Sequence, residues 1–293
     1  MKNLLKTGAA VILLAGTLAG FTACSDDNDE PAVKPENPDN TENPTPGAVN
    51  PSNVFTGLMP KSVGGTTITR NAEGLVTEMR TADGKVITFE YPEASRAGED
   101  LKGIRMTVVK DDVKTEYDMT VGVNGFVSES SVKVTSGQAG EDEEGDWTFT
   151  YDSDGHLTNA RHAYKDMYGD DVYSVTLQWN DGNIVKTYKD NEWDSYTYSY
   201  TSGDYPAAIE NKGAIFMFED IYPIEIYGFE WVYYAGMLGK GPKNLAVSHS
   251  EKDEDETYTT EFVWTLDQNG YPTVFDIKDD DHPGESTVKF TWN

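Results

Sequence analysis

The chemistry available to this chain rests mainly on carboxylates. Asp and Glu number 51 against 23 Lys and Arg, with four histidines and one cysteine. The densest cation-binding candidate is Glu141-Asp142-Glu143-Glu144-Gly145-Asp146, whose oxygens are the hard ligands that calcium takes. It lacks the alternate spacing and glycine placement of an EF-hand loop, and Gly137 to Gly145 reads as a flexible acidic loop. The expectation is therefore no resident metal and no cofactor. Two carboxyl groups hydrolyse glycosides only when they converge across a cleft, about 5 to 10 Å apart. With this many acids, no pair can be singled out from the sequence. His156, His162, His249 and His282 show no metal-ligand spacing, and no Ser-His-Asp, Cys-His or phosphate-loop pattern occurs. Tyr164, Tyr168 and Trp193 sit beside polar residues and would stack on sugar rings if exposed. The competing reading makes them ordinary cross-strand partners.

The N-terminus carries an address. Lys2 and Lys6 precede a nearly apolar run, Gly8 to Gly20, too short and too glycine-rich for a permanent membrane helix, so residues 1–23 read as a signal peptide. Thr22-Ala23 before Cys24 resembles a bacterial lipobox. That resemblance implies cleavage before Cys24 and acylation of its thiol and amine; the alternative is an ordinary secretory signal ending near a cysteine. Ser25-Asp26-Asp27-Asn28-Asp29-Glu30 is similar to the acidic export signal of Bacteroidota surface lipoproteins, the alternative being a solvated linker on a periplasm-facing one. The resemblance implies an outer-membrane protein, lipid-anchored and facing the cell exterior. Residues 24–52 are acidic and then rich in Pro, Asn, Glu and Thr. Such a segment cannot bury enough surface to order itself and should act as an extended tether.

Removing residues 1–23 takes away two lysines and moves the formal charge from −28 to −30. So acidic a chain is a poor partner for nucleic acid or anionic head groups. Acyl chains at Cys24 would provide the membrane contact instead. No intrachain disulfide is possible with a single cysteine, and residues 53–293 are long enough to form one domain without such staples.

Period-2 alternation dominates that domain. Tyr173, Val175, Leu177 and Trp179 share one strand face, as do Trp147, Phe149 and Tyr151, Tyr196, Tyr198 and Tyr200, and Val288, Phe290 and Trp292. Glu73-Gly74, Asp83-Gly84, Asn124-Gly125, Asp154-Gly155, Asp181-Gly182 and Asn269-Gly270 mark tight turns, for which type I′ geometry is expected. The fold class is all-β and mainly antiparallel: an up-and-down hairpin meander forming a strongly curved sheet or a barrel. The polar second face argues against a lipid-facing barrel. One aromatic stretch, Ala214 to Leu245, breaks the alternation. A helical insertion near 229–238, ended by glycine and proline, is expected on the concave side; two further buried strands are the alternative.

The aromatic-Asp-Gly hairpins, Tyr234-Ala-Gly-Met-Leu-Gly-Lys240, Lys243-Asn244-Leu245 and Asn269-Gly-Tyr-Pro-Thr273 together resemble an uncharacterised Bacteroides lipoprotein family described as having a porin-like fold. The resemblance spans about residues 65–293 and implies a fold without implying an activity. The hairpins are also similar, more weakly, to tyrosine-aspartate repeats of secreted shell proteins. The expected role is a non-catalytic surface module binding an extracellular glycan or protein. A structural role in the envelope and a carboxylate-based glycosidase are the alternatives.

Overall fold

The computed structural model describes residues 48–93, 98–135, 143–166, 169–190, 195–253, 256–278 and 287–293. All of them fall in one unit, Asn43–Asn293. The signal, Cys24 with the acidic motif, Glu141, Asp142, Tyr168 and Trp193 lie outside the described residues.

The chain enters through a 3-10 turn, Pro51–Asn53, and then builds β1 (Pro60–Val63), β2 (Thr66–Arg70), β3 (Val76–Arg80) and β4 (Val86–Glu90). Longer strands follow: β5 (Leu101–Lys110), β6 (Val113–Val121), β7 (Val127–Thr135) and β8 (Glu143–Tyr151). Next come β9 (Leu157–Asp166), β10 (Gly169–Asn180), β11 (Asn183–Lys189) and β12 (Ser195–Ser199). An insertion, residues 200–247, contains β13 (Ile209–Glu210), α1 (Phe229–Tyr234) and β14 (Asn244–Leu245). Then β15 (Ser248–Asp253), β16 (Glu256–Leu266), β17 (Pro272–Ile277) and β18 (Val288–Trp292) complete the chain.

Among the described residues, sixteen of these strands close into one antiparallel barrel, and β13 pairs only with β14. Each barrel strand pairs with its chain neighbour except at two seams. β12 joins β15 across the insertion, and β18 joins β1 with Val63 opposite Phe290. Closure leaves no edge with unpaired backbone groups.

Alternation decides what points inward. Met106, Val108, Tyr117, Met119, Trp147, Phe149, Val175, Leu177, Phe262 and Trp264 are buried in the lumen. Their neighbours Lys102, Arg105, Lys114, Asp118, Thr259 and Glu261 are exposed outside. The outward faces therefore carry charged and hydroxyl side chains where a lipid-facing band would need apolar ones.

The insertion turns back into the lumen and fills it. Phe216, Tyr222, Phe229, Val232, Tyr233 and Leu238 are at most 2% exposed. Phe229 lies 4.7 Å from Phe149, 5.3 Å from Trp147 and 5.5 Å from Tyr117, ring centre to ring centre. Burying one such ring contributes about 2–3 kcal/mol. The helix is six residues long, shorter than the expected 229–238. It stops because Gly236 adopts φ +85°, where a Cβ would stand 2.5 Å from the Pro51 Cα. From Phe229 to Leu238 the aromatic stretch is thus a short helix and irregular chain inside the barrel, not two further strands, and β14 lies only at its end.

The six marked turns all contain a positive-φ glycine, but only Asp181-Gly182 has positive φ at both residues. The other five are longer. In each, the first residue's N–H donates to the carbonyl four residues on, as Asp152 does to His156 at 3.0 Å and Asp267 to Tyr271 at 2.8 Å. Only the glycine then needs the left-handed region, and the extra residue appears as a register shift beside the turn in four hairpins. Asp181-Gly182 thus keeps the expected two-residue turn with both central residues at positive φ, and glycine-centred longer hairpins replace it at the other five.

Candidate functional site

An up-and-down barrel places successive turns at alternate ends, and here the two ends differ. Turns 71–75, 122–126, 152–156, 181–182 and 267–271 share one end. The chain also enters and leaves at that end, and the insertion caps it. Phe55 stacks on Tyr234, the Val127 N–H donates to the Met237 carbonyl at 2.8 Å, and the Lys240 and Lys243 N–H groups donate to Gly155 and Gly182. This end is shut.

The other end opens onto a cavity of about 730 Å³. Its walls are Val63, Ile68, Met79, Val108 and Tyr117 from the barrel, and Phe218, Ile224, Ile226 and Trp231 from the insertion. Glu219, Asp220, Glu230, Asp83 and Lys85 bring charge to it. A cavity of this size, mostly apolar with a few convergent polar groups, fits the usual make-up of a small-ligand site.

Glu230 belongs to the helix, whose other residues are all hydrophobic. Burial among them pushes its carboxyl up to about 7, and the nearby Glu219 charge acts in the same direction. The backbone N–H groups of Gly228 and of Glu230 itself, with the distant charge of Lys85, oppose that shift. Burial also raises Glu219, with Asp220 and Glu225 adding to it, and raises Asp220. Lys85 is the one basic residue among the described lining residues. Its ammonium stands 5.5 Å from the Trp231 ring centre and 3.9 Å from Asp83. Asp83 also accepts from Lys110 at 2.7 Å, a bond that holds its carboxyl well below the usual range, helped by Thr81.

Beside this cavity, across Tyr227, runs a second groove of about 440 Å³ lined by His162, Tyr164, Asp171, Tyr173, Lys189, Asp190 and Glu225. Trp147, His162 and Tyr164 stack in a row, with ring centres 4.2 and 4.8 Å apart. Burial drives the His162 imidazole down to about 4, so it stays neutral near pH 7. Lys189 and Glu225 pair at 2.5 Å, and Tyr227 is 60% exposed.

Of the stacking aromatics read from the sequence, Tyr164 lies in this groove. One face rests on His162, and its hydroxyl donates to Asp171 at 3.1 Å. Of the calcium candidates, Glu144 and Asp146 lie on β8 and face outward, with Glu144 3.2 Å from Lys133. The expected acidic loop through Gly145 therefore ends where β8 begins, at Glu143. Asp152, Asp154 and His156 offer ligand atoms within 4.8 Å of one another. However, Asp152 already accepts from the Asp154 and His156 N–H groups and contacts the His156 ring at 2.9 Å. That cluster is accounted for as turn scaffolding.

Sequence reading did not select Glu230, Glu219, Asp220 or Lys85. The available signal was Glu230 itself, the single acid within the aromatic run Phe229 to Leu238.

Residues 68–274 match the model of a family described as a domain of unknown function (DUF4595) with porin-like fold. A porin-like protein from Bacteroides uniformis ATCC 8492 is similar in structure at TM-score 0.52 and 19% identity, over 78% of this chain and 89% of that one. A porin-like protein from Bacteroides vulgatus ATCC 8482 aligns at TM-score 0.48 and 14% identity, over 81% and 99% of the two chains. No curated protein matches significantly.

Proposed function

We propose, from the premise that this chain belongs to the family of domains of unknown function with porin-like fold, that it is a cell-surface lipoprotein of the outer membrane. Its plugged barrel acts as a non-catalytic module that binds an extracellular glycan or protein segment at its open end. The observation that carries this reading is the asymmetry of the barrel, shut at one end and open at the other onto a cavity of about 730 Å³.

Three features support it. Cys24 and the acidic residues after it supply an anchor and an export signal of the kind surface lipoproteins carry. The described chain enters the barrel at the shut end, near Pro51 and Gly236, opposite the cavity mouth. Tyr227 and Tyr164 present ring surface at the groove, where sugar rings stack on aromatic faces.

Glycan and peptide arrays with the chain carrying Cys24→Ala, which removes the acylation site, test the reading. A bound ligand should be lost when Thr66→Trp fills the cavity from the half-buried end of β2. Absence of any ligand at millimolar concentration would sink the binding reading and favour a structural role in the envelope.

A further inference from the structure

We propose that the open-end cavity is a site for a small organic ammonium, a positively charged amine carried on an apolar body. The inference rests on reading the open end as a binding site and names what that site selects. Three observations carry it.

First, charge at the cavity is unbalanced. Glu219, Asp220 and Glu230 converge on it, Asp83 lines it as well, and Lys85 is the one basic residue among its described lining residues. Lys85 is already occupied at the rim, by the Trp231 ring at 5.5 Å and by Asp83. An anionic ligand would meet three carboxyl groups, whereas a cation would be drawn in by them.

Second, Glu230 forms no ion pair among the described residues, and the charge of Lys85 reaches it only as a weak opposing influence. Its side chain is half-buried at the cavity wall, and its described contacts are to the backbone N–H groups of Gly228 and Glu230. A buried carboxylate without a counter-ion is costly unless something pairs with it. A ligand ammonium would supply that pairing.

Third, the walls above the carboxyl are apolar and aromatic. Ile68, Met79, Ile226 and Trp231 can cover a hydrocarbon or ring body. A sugar lacking an amine would leave Glu230 unpaired and press hydroxyls against aliphatic side chains. A bare metal ion would leave the apolar walls unused.

The groups facing Glu230 are known from each neighbouring element. Glu219 and Asp220 come from the insertion loop, Lys85 and Asp83 from the β3–β4 turn, and Tyr117 from β6. Tyr234 comes from the helix itself. Glu230 titrates near 7, while an alkyl ammonium stays charged to about pH 10. Affinity for an amine should therefore rise roughly tenfold between pH 6 and pH 8 as Glu230 ionises. Binding near pH 7 should also release protons.

Isothermal titration calorimetry of the Cys24→Ala chain with three indoles of similar shape tests this: tryptamine, indole-3-ethanol and indole-3-propionate. Tryptamine should bind at least tenfold more tightly than the alcohol at pH 8, and the propionate should not bind. Glu230→Gln should remove the tryptamine advantage and flatten its pH dependence, while Lys85→Met, which removes the cation already at the rim, should raise the affinity for tryptamine. Equal affinity for tryptamine and the alcohol, or tryptamine binding untouched by Glu230→Gln, would overturn the ammonium site while leaving the cavity a binding site. Failure of all three indoles would overturn it too. Array ligands unaffected by Thr66→Trp would count instead against the mouth as the module's binding site.

Discussion

The two ends of the barrel use the same kind of turn for different purposes. At the shut end, Asn71, Asp152 and Asp267 each open a glycine-bulge hairpin, and one oxygen of each accepts from two backbone N–H groups, two and four residues on. At the open end the matching turn begins with Thr81, whose hydroxyl accepts only from the Lys85 N–H at 2.8 Å. Asp83 and Lys85 then remain to pair with Lys110 and to face the cavity. Among the described residues, the turn carboxylates and amide at the shut end satisfy their own backbone, whereas at the open end Glu219, Asp220 and Glu230 line the cavity. On the proposed reading, stability and binding would fall at opposite ends of one sheet.

The insertion links the two ends, so breaking it should have the largest effect. Phe229 is fully buried between β6, β8 and the helix. Phe229→Ala should cost about 3–5 kcal/mol, since large-to-small changes in a packed core lose burial and leave a cavity. For a domain of this size that corresponds to a Tm lower by about 10 °C, measurable by scanning calorimetry. If the insertion were a loose cork, the barrel would keep its melting temperature and only the insertion would become sensitive to protease.

A smaller effect should separate the ends by pH. Glu230 at the mouth is raised to about 7 in the folded chain, against about 4.3 when unfolded. Below both values it is protonated in either state and has no effect. Between them the folded state holds the extra proton, so stability falls as pH rises, and the loss is complete above about 7. Its size is on the order of 3 kcal/mol. Glu230→Gln should therefore be the more stable protein at pH 8 and match the parent near pH 4.5, as read from urea unfolding. His162, held low by burial, changes stability in the opposite sense below about 6.5. It is present in both proteins, so the comparison cancels it. A constant difference between parent and variant from pH 4.5 to 8 would break the assignment.

The shut end was largely legible in the sequence, and the open end was not. Val175 and Leu177, Trp147 and Phe149, and Phe290 announce the inward face by alternation alone, and Asp154-Gly155 or Asn269-Gly270 announce the turns. These signals are local, because a strand's two faces and a glycine's positive φ depend on residues a few positions apart. The mouth depends on Glu230, Lys85 and Ile68, brought together across about 160 positions by barrel closure. The aromatic content of the run Phe229 to Leu238 points it to the concave side, but nothing in that run says where it carries its acid or what that acid meets. The helix was read too long for a related reason. Gly236 ends it through a contact with Pro51, and sequence spacing cannot show a contact between such distant residues. Tyr164 illustrates the middle case. Its polar neighbours were visible, while the His162 ring against its face follows from the register of β8, β9 and β10.

The smallest effect compares the turns directly. Asp152→Ala removes two acceptor contacts of 2.9 Å to backbone N–H groups and the 2.9 Å contact to His156, leaving those donors to water or to nothing. A side-chain-to-backbone tie of this kind is worth about 1 kcal/mol, somewhat more when the acceptor is charged. The expected loss is about 1–2 kcal/mol. Asp152→Asn keeps the carbonyl oxygen and should lose less than half of that. Thr81→Val at the open end removes the acceptor tie to the Lys85 N–H and the donor tie to the Asp83 carboxylate, both on a largely exposed turn, and should cost about 1 kcal/mol or less. The order Asp152→Ala, then Asp152→Asn, then Thr81→Val in urea midpoints would support the division between a built end and an open one. Should Thr81→Val prove as costly as Asp152→Ala, the open-end turn would be bearing structure as well. Asp83 and Lys85 would then be held there by the fold rather than left to meet a ligand.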